Sequence, residues 1–426
     1  MAGKELPPWA IRLRQERTRR LWSQKVTAIR LRDAADERTR ALLPAIDSIQ
    51  RYVRDYEAGN HFPGDLYAEL YCRAFGLARE VLFGTTSGIA AHGTSSDQFP
   101  SEHDAHSLTS WIGSTNTSDG AISDIAQSVF QLAEAHTTSS PAQMLLNVVR
   151  LHRQIQELLA GGKQRLRQTS DLYRVNADLL AHAALLLGDL NRDEAGAGHG
   201  SAAKVYAEEA GANQAIALSV QAKTERWRSR FAEAADLARH GFECSPQTPI
   251  RILLASQEAN AAALLGDMRR AREALNRAED ASDGPIAADS GLSAWSCPRS
   301  RQALFALSVA IRSGDPDAAL RAAEKADSAW DSGDARVAGT WAQVRLGVGI
   351  AHIMKGDLAG AQEELIPVLT LSPEFRMATI TGYTSDMEKR LRQRRFRNDA
   401  IAKEMIEQIQ EFNSSALLST ATMEDD

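Results

Sequence analysis

Apolar residues recur at three- and four-residue intervals through residues 8–84 and again from about Ile122 onward, without the period-two alternation of a half-buried strand. The predicted fold is therefore all-α. Within IDSIQRYVRDYEAGN (46–60), Ile49, Val53 and Tyr56 form one apolar stripe. Asp47 with Gln50 three residues on has the spacing of a capping box, and Gly59 followed by Asn60 marks the end. Trp9, Leu13, Arg17 and Leu21 step along an earlier helix, and Ser23 is placed to cap a second, SQKVTAIRLRDAA. A polar joint, DERTRALLP, leads into residues 46–60. Pro63 and Gly64 open a further helix with Leu66, Leu70, Phe75 and Leu77 as its apolar positions, and the block closes at Gly84.

From Thr85 to Asp119, Ser, Thr, Gly, Asp and His dominate. Such a stretch buries too little apolar surface to offset the entropy of ordering it, and it reads as a flexible linker. Beyond it the chain repeats itself. LLLGDLNRDEA (185–195), LLGDMRRAREALNRA (264–278), IRSGDPDAALRAAEKA (311–326) and IMKGDLAGAQEELIPV (353–368) share one layout, with a degenerate copy, WRSRFAEAADLARHG (227–241), in which Arg230 stands for the Gly. An apolar helix ends at Gly-Asp; Gly supplies a left-handed turn and Asp caps the next helix. Small residues such as Ala271, Ala274, Ala319 and Ala322 let the paired helices approach closely. Each hairpin leaves an apolar face that only its neighbour covers, so the units stack as an α-solenoid. The layout resembles tetratricopeptide repeats, although most Trp/Tyr consensus positions are absent.

Composition narrows the classes. With 43% hydrophobic and 24% charged residues the chain reads as largely globular. It has no run suited to a membrane span and no secretory signal at its start, which points to the cytoplasm. Cys72, Cys244 and Cys297 lie far apart, the pattern of packed thiols rather than of a disulfide framework or a zinc site. The net charge of −6 is uneven: residues 1–40 hold 11 Lys and Arg against 5 Asp and Glu, leaving an acidic body. A basic head suits a polyanionic partner, or is a chance excess. The basic run Lys389, Arg390, Arg392, Arg394, Arg395 and Arg397 is a solvated face or a contact for nucleic acid or an acidic partner surface.

The N-terminal block resembles the helix-turn-helix domain of the Xre (Cro and phage repressor) family over roughly residues 9–84. The resemblance rests on WSQKV at the start of the second helix, on residues 46–60 in the place of the recognition helix, on the ending YEAGN (56–60), and on Arg17, seven residues before Gln24, as partner of Glu57. The joint of about 15 extra residues departs from that family and matches actinobacterial regulators that carry tetratricopeptide-like regions, which the whole chain resembles. The resemblance implies Gln50 and Arg51 at base-contacting positions, where Arg suits guanine and Gln adenine. Ser48, Arg54 and Asp55 are expected nearby, Gln24 and Lys25 on a phosphate, and Arg17–Glu57 as a structural ion pair. It also implies a homodimer on an inverted repeat of double-stranded DNA, and a body that dimerises and senses a peptide or small-molecule effector. Asn176, Gln257, Asn260 and Gln343, on first helices of the hairpins, are the candidate groove residues.

Other motifs read blandly. GAGHGSAAK (196–204) lacks the ending of a phosphate loop and is expected to be an inter-helix turn. His103, Asp104 and His106 fall in the linker and are expected to be solvated rather than metal ligands. No nucleophile–base or paired-carboxylate constellation stands out, so no enzyme activity and no cofactor are expected. The expected organisation is a helix-turn-helix domain at 8–84, a linker at 85–119, a tetratricopeptide-like solenoid at 120–412 and a disordered tail at 413–426. The expected function is a sequence-specific transcriptional regulator. The alternative is a protein-interaction scaffold of tetratricopeptide type whose head does not bind DNA.

Overall fold

A computed structural model of the chain describes residues 6–20, 22–83, 113–284 and 291–421. They fall into two compact units, one within residues 1–99 and the other within 100–426. Among the described residues every regular element is a helix. The expected linker is outside the described residues over 84–112, and with it His103, Asp104 and His106; so is Leu21.

The first unit is a small helical cluster: α1 (Pro8–Arg19), α2 (Gln24–Asp33), α3 (Glu37–Leu42), α4 (Ile46–Glu57), α5 (Asp65–Phe75) and α6 (Arg79–Phe83). Leu13, Leu31, Ile49, Val53, Leu70 and Tyr71 meet in its core. Ser23 caps α2 by accepting from the Val26 amide at 3.2 Å. Residues 46–60 end in a Schellman turn, with Gly59 at φ +67° and the Asn60 amide donating to Asp55 O at 3.0 Å. Three expectations need correction. The capping box is absent, because α4 starts two residues earlier, with Ala45 as its N-cap; Asp47 sits inside the first turn, where it faces the positive end of the helix dipole. The joint is partly α3, since Asp36 accepts from the Thr39 amide at 2.8 Å and supplies a cap that a loop reading overlooks. Leu66 is exposed, and Tyr71 supplies the buried bulk of α5 instead.

The second unit opens with α7 (Asp119–Glu134) and α8 (Pro141–Ala160). Helix pairs follow: α9 (Leu166–Asp189) with α10 (Asp193–Glu209), α11 (Ala215–Trp227) with α12 (Phe231–Cys244), α13 (Pro249–Leu265) with α14 (Met268–Asp283), α15 (Arg299–Ser313) with α16 (Pro316–Asp331), and α17 (Ala338–Lys355) with α18 (Leu358–Leu369). The array is closed by α19 (Ala378–Leu391) and α20 (Ala400–Ala421). The tail is thus helical as far as Ala421 rather than disordered from residue 413, and Arg376 ties it down by donating to Phe412 O at 3.1 Å. Arg395, within the basic run, donates to Ile353 O at 3.0 Å and so caps the C-terminal end of α17.

The hairpin turns follow one rule. Gly266, Gly314 and Gly356 adopt φ of +90°, +80° and +84°, and the next residue, Asp267, Asp315 or Asp357, caps the second helix through its side chain. In the first two hairpins the left-handed residue is Asn191 (φ +60°) or Ser229 (φ +61°), so the expected anchors at Gly188 and Arg230 are out of register. GAGHGSAAK is the interior of α10, not a turn. Ala271, Ala274, Ala319 and Ala322 are buried between paired helices, the close approach that their size permits.

Gly188 lies inside α9, and a methyl group there would meet Trp227 Cζ3 at 1.8 Å. Alanine is a better helix former by about 1 kcal/mol. Overpacking against a rigid ring costs about 1–3 kcal/mol, so overlap decides the sign. Gly188→Ala is expected to lower the denaturation midpoint of the second unit, and Trp227→Leu in the same chain to restore part of the loss.

Two features close the array on itself. The capping helix α19 returns to touch α9, and the 3-10 turn Pro373–Phe375 touches α8. Between α14 and α15 the spacing of the hairpins is stretched by an insert whose described part, 291–298, is stitched to the opening helices. Ala294 N donates to Ala133 O at 2.9 Å, and Thr137 Oγ1 donates to Leu292 O at 3.0 Å. Trp295 lies edge-on to His182 with ring centres 6.0 Å apart.

Candidate functional site

In the first unit α4 keeps Ile49, Val53 and Glu57 buried. Lys25, Arg51 and Arg54 are exposed, while Ser48, Gln50 and Asp55 are half-buried. Arg17 and Glu57 form a bidentate pair, Nε to Oε1 at 2.6 Å and Nη2 to Oε2 at 3.0 Å, and Arg17 Nη1 also donates to Trp22 O at 2.8 Å. Gln24 differs from expectation. Its amide is not held out for a phosphate: Nε2 donates to Glu57 Oε2 at 3.2 Å and so ties the start of α2 to the C-terminal end of α4, away from Ser48 and Gln50 in the first turns.

The second unit holds a pocket of about 320 Å³ on the inner face of the array. The first helices of the pairs line it, as a curved stack of hairpins requires. Gln257, Asn260 and Gln343 belong to that lining. Gln257 accepts from Ser219 Oγ at 3.0 Å, Asn260 accepts from Ser308 Oγ at 3.1 Å, and Gln343 Nε2 donates to Gly339 O at 3.0 Å. Asn176 does not line it. That residue is fully buried, its Oδ1 2.9 Å from His152 Nδ1, because its face of α9 is turned toward α8. A polar residue in a helix has two sides to choose from, and spacing alone did not decide between them.

The charged lining escaped the sequence reading. Lys223 and Arg226 come from α11, Arg301 and Arg312 from α15, Asp189 from α9 and Asp386 from α19. Lys223 Nζ stands 3.3 Å from Asp189 Oδ1 and 4.6 Å from the centre of the Trp227 ring. Burial draws its ammonium down to about 8 against the pull of Asp189. Burial also lowers Arg226, opposed by Tyr383, Asp189 and Asp193, and raises Tyr383. Behind this wall His136 and His182 meet, Nδ1 to Nε2 at 3.2 Å, and burial drives each down to about 3. The one available signal was charge inside otherwise apolar helices, as in AIALSVQAKTERW. On the other face of the insert lies a second pocket, bordered by Phe130, Ile216 and Trp295, where burial lifts Asp178 to about 6.

The fold and pocket define an all-α protein of stacked, tetratricopeptide-like helix pairs. No family model matches the chain, and no curated protein matches it. Among solved structures it is similar to a chain in the structure titled "Crystal structure of APC/C hetero-tetramer Cut9-Hcn1", at 12% identity and a TM-score of 0.37. The match covers 72% of this chain and 59% of that one. Likeness at this level conveys nothing of what that assembly does. The expectation of a sequence-specific transcriptional regulator is corrected here: no family model and no curated protein of that kind matches the chain. No helix among the described residues is long and apolar enough to cross a membrane.

Proposed function

We propose that the chain is an interaction scaffold of tetratricopeptide type, with a head that serves as a compact helical module and not as a reader of DNA. The reading rests on one observation, the polar ladder on the inner face. Successive first helices present Lys223, Gln257, Asn260, Ser308 and Gln343 there, while the second helices back them with buried alanines. Such a ladder offers spaced hydrogen-bonding groups to an extended segment of a partner protein laid along the curve. In a selection of displayed dodecapeptides on the full chain, sequences are expected to converge on a motif. Its binding should fall at least about tenfold with Asn260→Arg or Gln343→Arg, the loss of a buried polar contact plus a steric block. Failure to converge, or binding indifferent to both substitutions, would overturn the reading.

A further inference from the structure

The pocket carries a charge imbalance that the protein does not itself resolve. Lys223, Arg226, Arg301 and Arg312 line it, against the carboxylates of Asp189 and Asp386. Asp189 is engaged by Lys223 at 3.3 Å. Asp386 lies 4.0 Å from Arg312 and also accepts from Arg390 at 3.2 Å. Arg301 is held by backbone oxygens, donating to Ser296 O at 2.6 Å and to Ala294 O at 3.3 Å. Arg226 is different. Among the described residues no carboxylate lies within ion-pair distance of it and no side-chain or backbone oxygen accepts from it; its guanidinium rests 5.6 Å from the centre of the Trp227 ring and lines the pocket. Arg226 is half-buried, and a guanidinium partly withdrawn from water without a protein acceptor is stabilised when an anion binds beside it.

The rest of the lining gives the shape of that anion. Leu304, Phe305, Ile350 and Met377 supply apolar wall, and Asn260, Ser308 and Tyr383 supply a few polar groups. A volume of about 320 Å³ is at the lower end of small-molecule sites, and the insert, through Gly291, Ser293 and Pro298, and α19 contribute to its wall. The surplus over two carboxylates is small, and one ligand carboxylate matches Arg226 through two parallel N–H donors. We infer that the pocket is a binding site for a small amphipathic monocarboxylate, with Arg226 as the counter-ion of its carboxylate and the Phe305 side of the pocket around its apolar body. The site shares Asn260 and Ser308 with the proposed peptide ladder, but it is argued from the charge of the pocket and not from the scaffold reading.

The test uses the full chain with octanoate and 3-phenylpropionate against their uncharged primary amides, read by saturation-transfer NMR and isothermal titration. The acids are expected to bind at least about tenfold more tightly than the amides, the range of a charge-assisted hydrogen bond. Arg226→Gln should erase that preference and Arg226→Lys should keep part of it. Should Arg226→Gln fail to fold, the acid–amide comparison on the unsubstituted chain decides by itself. Equal affinity of acid and amide, no binding of either, or a preference that survives Arg226→Gln would overturn the inference. Heptapeptides ending in phenylalanine, with free or amidated carboxyl ends, form a further arm. If they alone discriminate, the site takes a chain end and the small-acid inference falls. A dodecapeptide motif that persists while the acids fail leaves the scaffold reading intact, so the two can fail separately.

Discussion

Arg17→Ala is expected to loosen the first unit by about 3–5 kcal/mol, because it leaves Glu57 as a buried carboxylate without its counter-charge. Glu57 is 5% exposed and accepts from both Arg17 and Gln24, so one substitution removes two of its three hydrogen bonds. The same guanidinium holds Trp22 O, and its loss frees the corner between α1 and α2 as well. Hydrogen exchange on the full chain checks this: amides of α1, α2 and α4 should lose protection while those of α9 to α18 keep it. Arg17→Ala with Glu57→Leu should recover a large part of the loss, since an apolar replacement of both partners leaves no buried charge. Unchanged protection in the single variant would show that the pair contributes nothing to the packing of the head.

Acid is expected to destabilise the second unit through His182. Its folded pKa of about 3 is below the ordinary 6.5, so the unfolded chain takes up a proton first as pH falls. The stability is present in full above about pH 6.5 and is lost progressively down to about 3. By pH 5 the loss is on the order of 2 kcal/mol for this group, from 1.36 kcal/mol per pH unit. His136, which shows part of its ring to the pocket, adds to the effect; Lys223 and Arg301 oppose its protonation, and Asp189, with its carboxylate 3.9 Å from His136 Nε2, favours it. Denaturant titrations at pH 7 and pH 5 on wild type and His182→Gln isolate the term, because glutamine stays neutral. The wild type should lose about 2 kcal/mol more than the variant, and equal losses would rule His182 out.

The architecture was legible because its signals are local. A Gly-Asp pair sets a left-handed turn and the next cap within two residues, and alanines on the second helix mark the packed side. Where Asn191 and Ser229 replace glycine in the turn, the signal was displaced by a residue or more. The short α3 was missed for the opposite reason: Asp36 caps it well, but the surrounding polarity reads as loop. Of the pocket, the polar residues Gln257, Asn260 and Gln343 were legible on the first helices, but the charged wall was not. Its wall joins α9, α11, α15 and α19, and only closure of the array brings those helices together. The head teaches a further point. Arg17, Glu57 and the Gly59 turn are packing and capping devices, and a resemblance carried by such devices speaks to how a helix is held rather than to what its outer face touches.

The stitch between residues 291–298 and α7 has a mechanical consequence. A free spring of helix hairpins frays from its ends, each coil opening almost independently of the next. Here a strut joins Thr137 to Leu292, 155 positions apart along the chain, so the opening helices cannot peel away without also releasing the middle of the coil. Pulled at its two ends, the second unit should resist as one body and give way in a single event, where an unbraced spring would lengthen turn by turn.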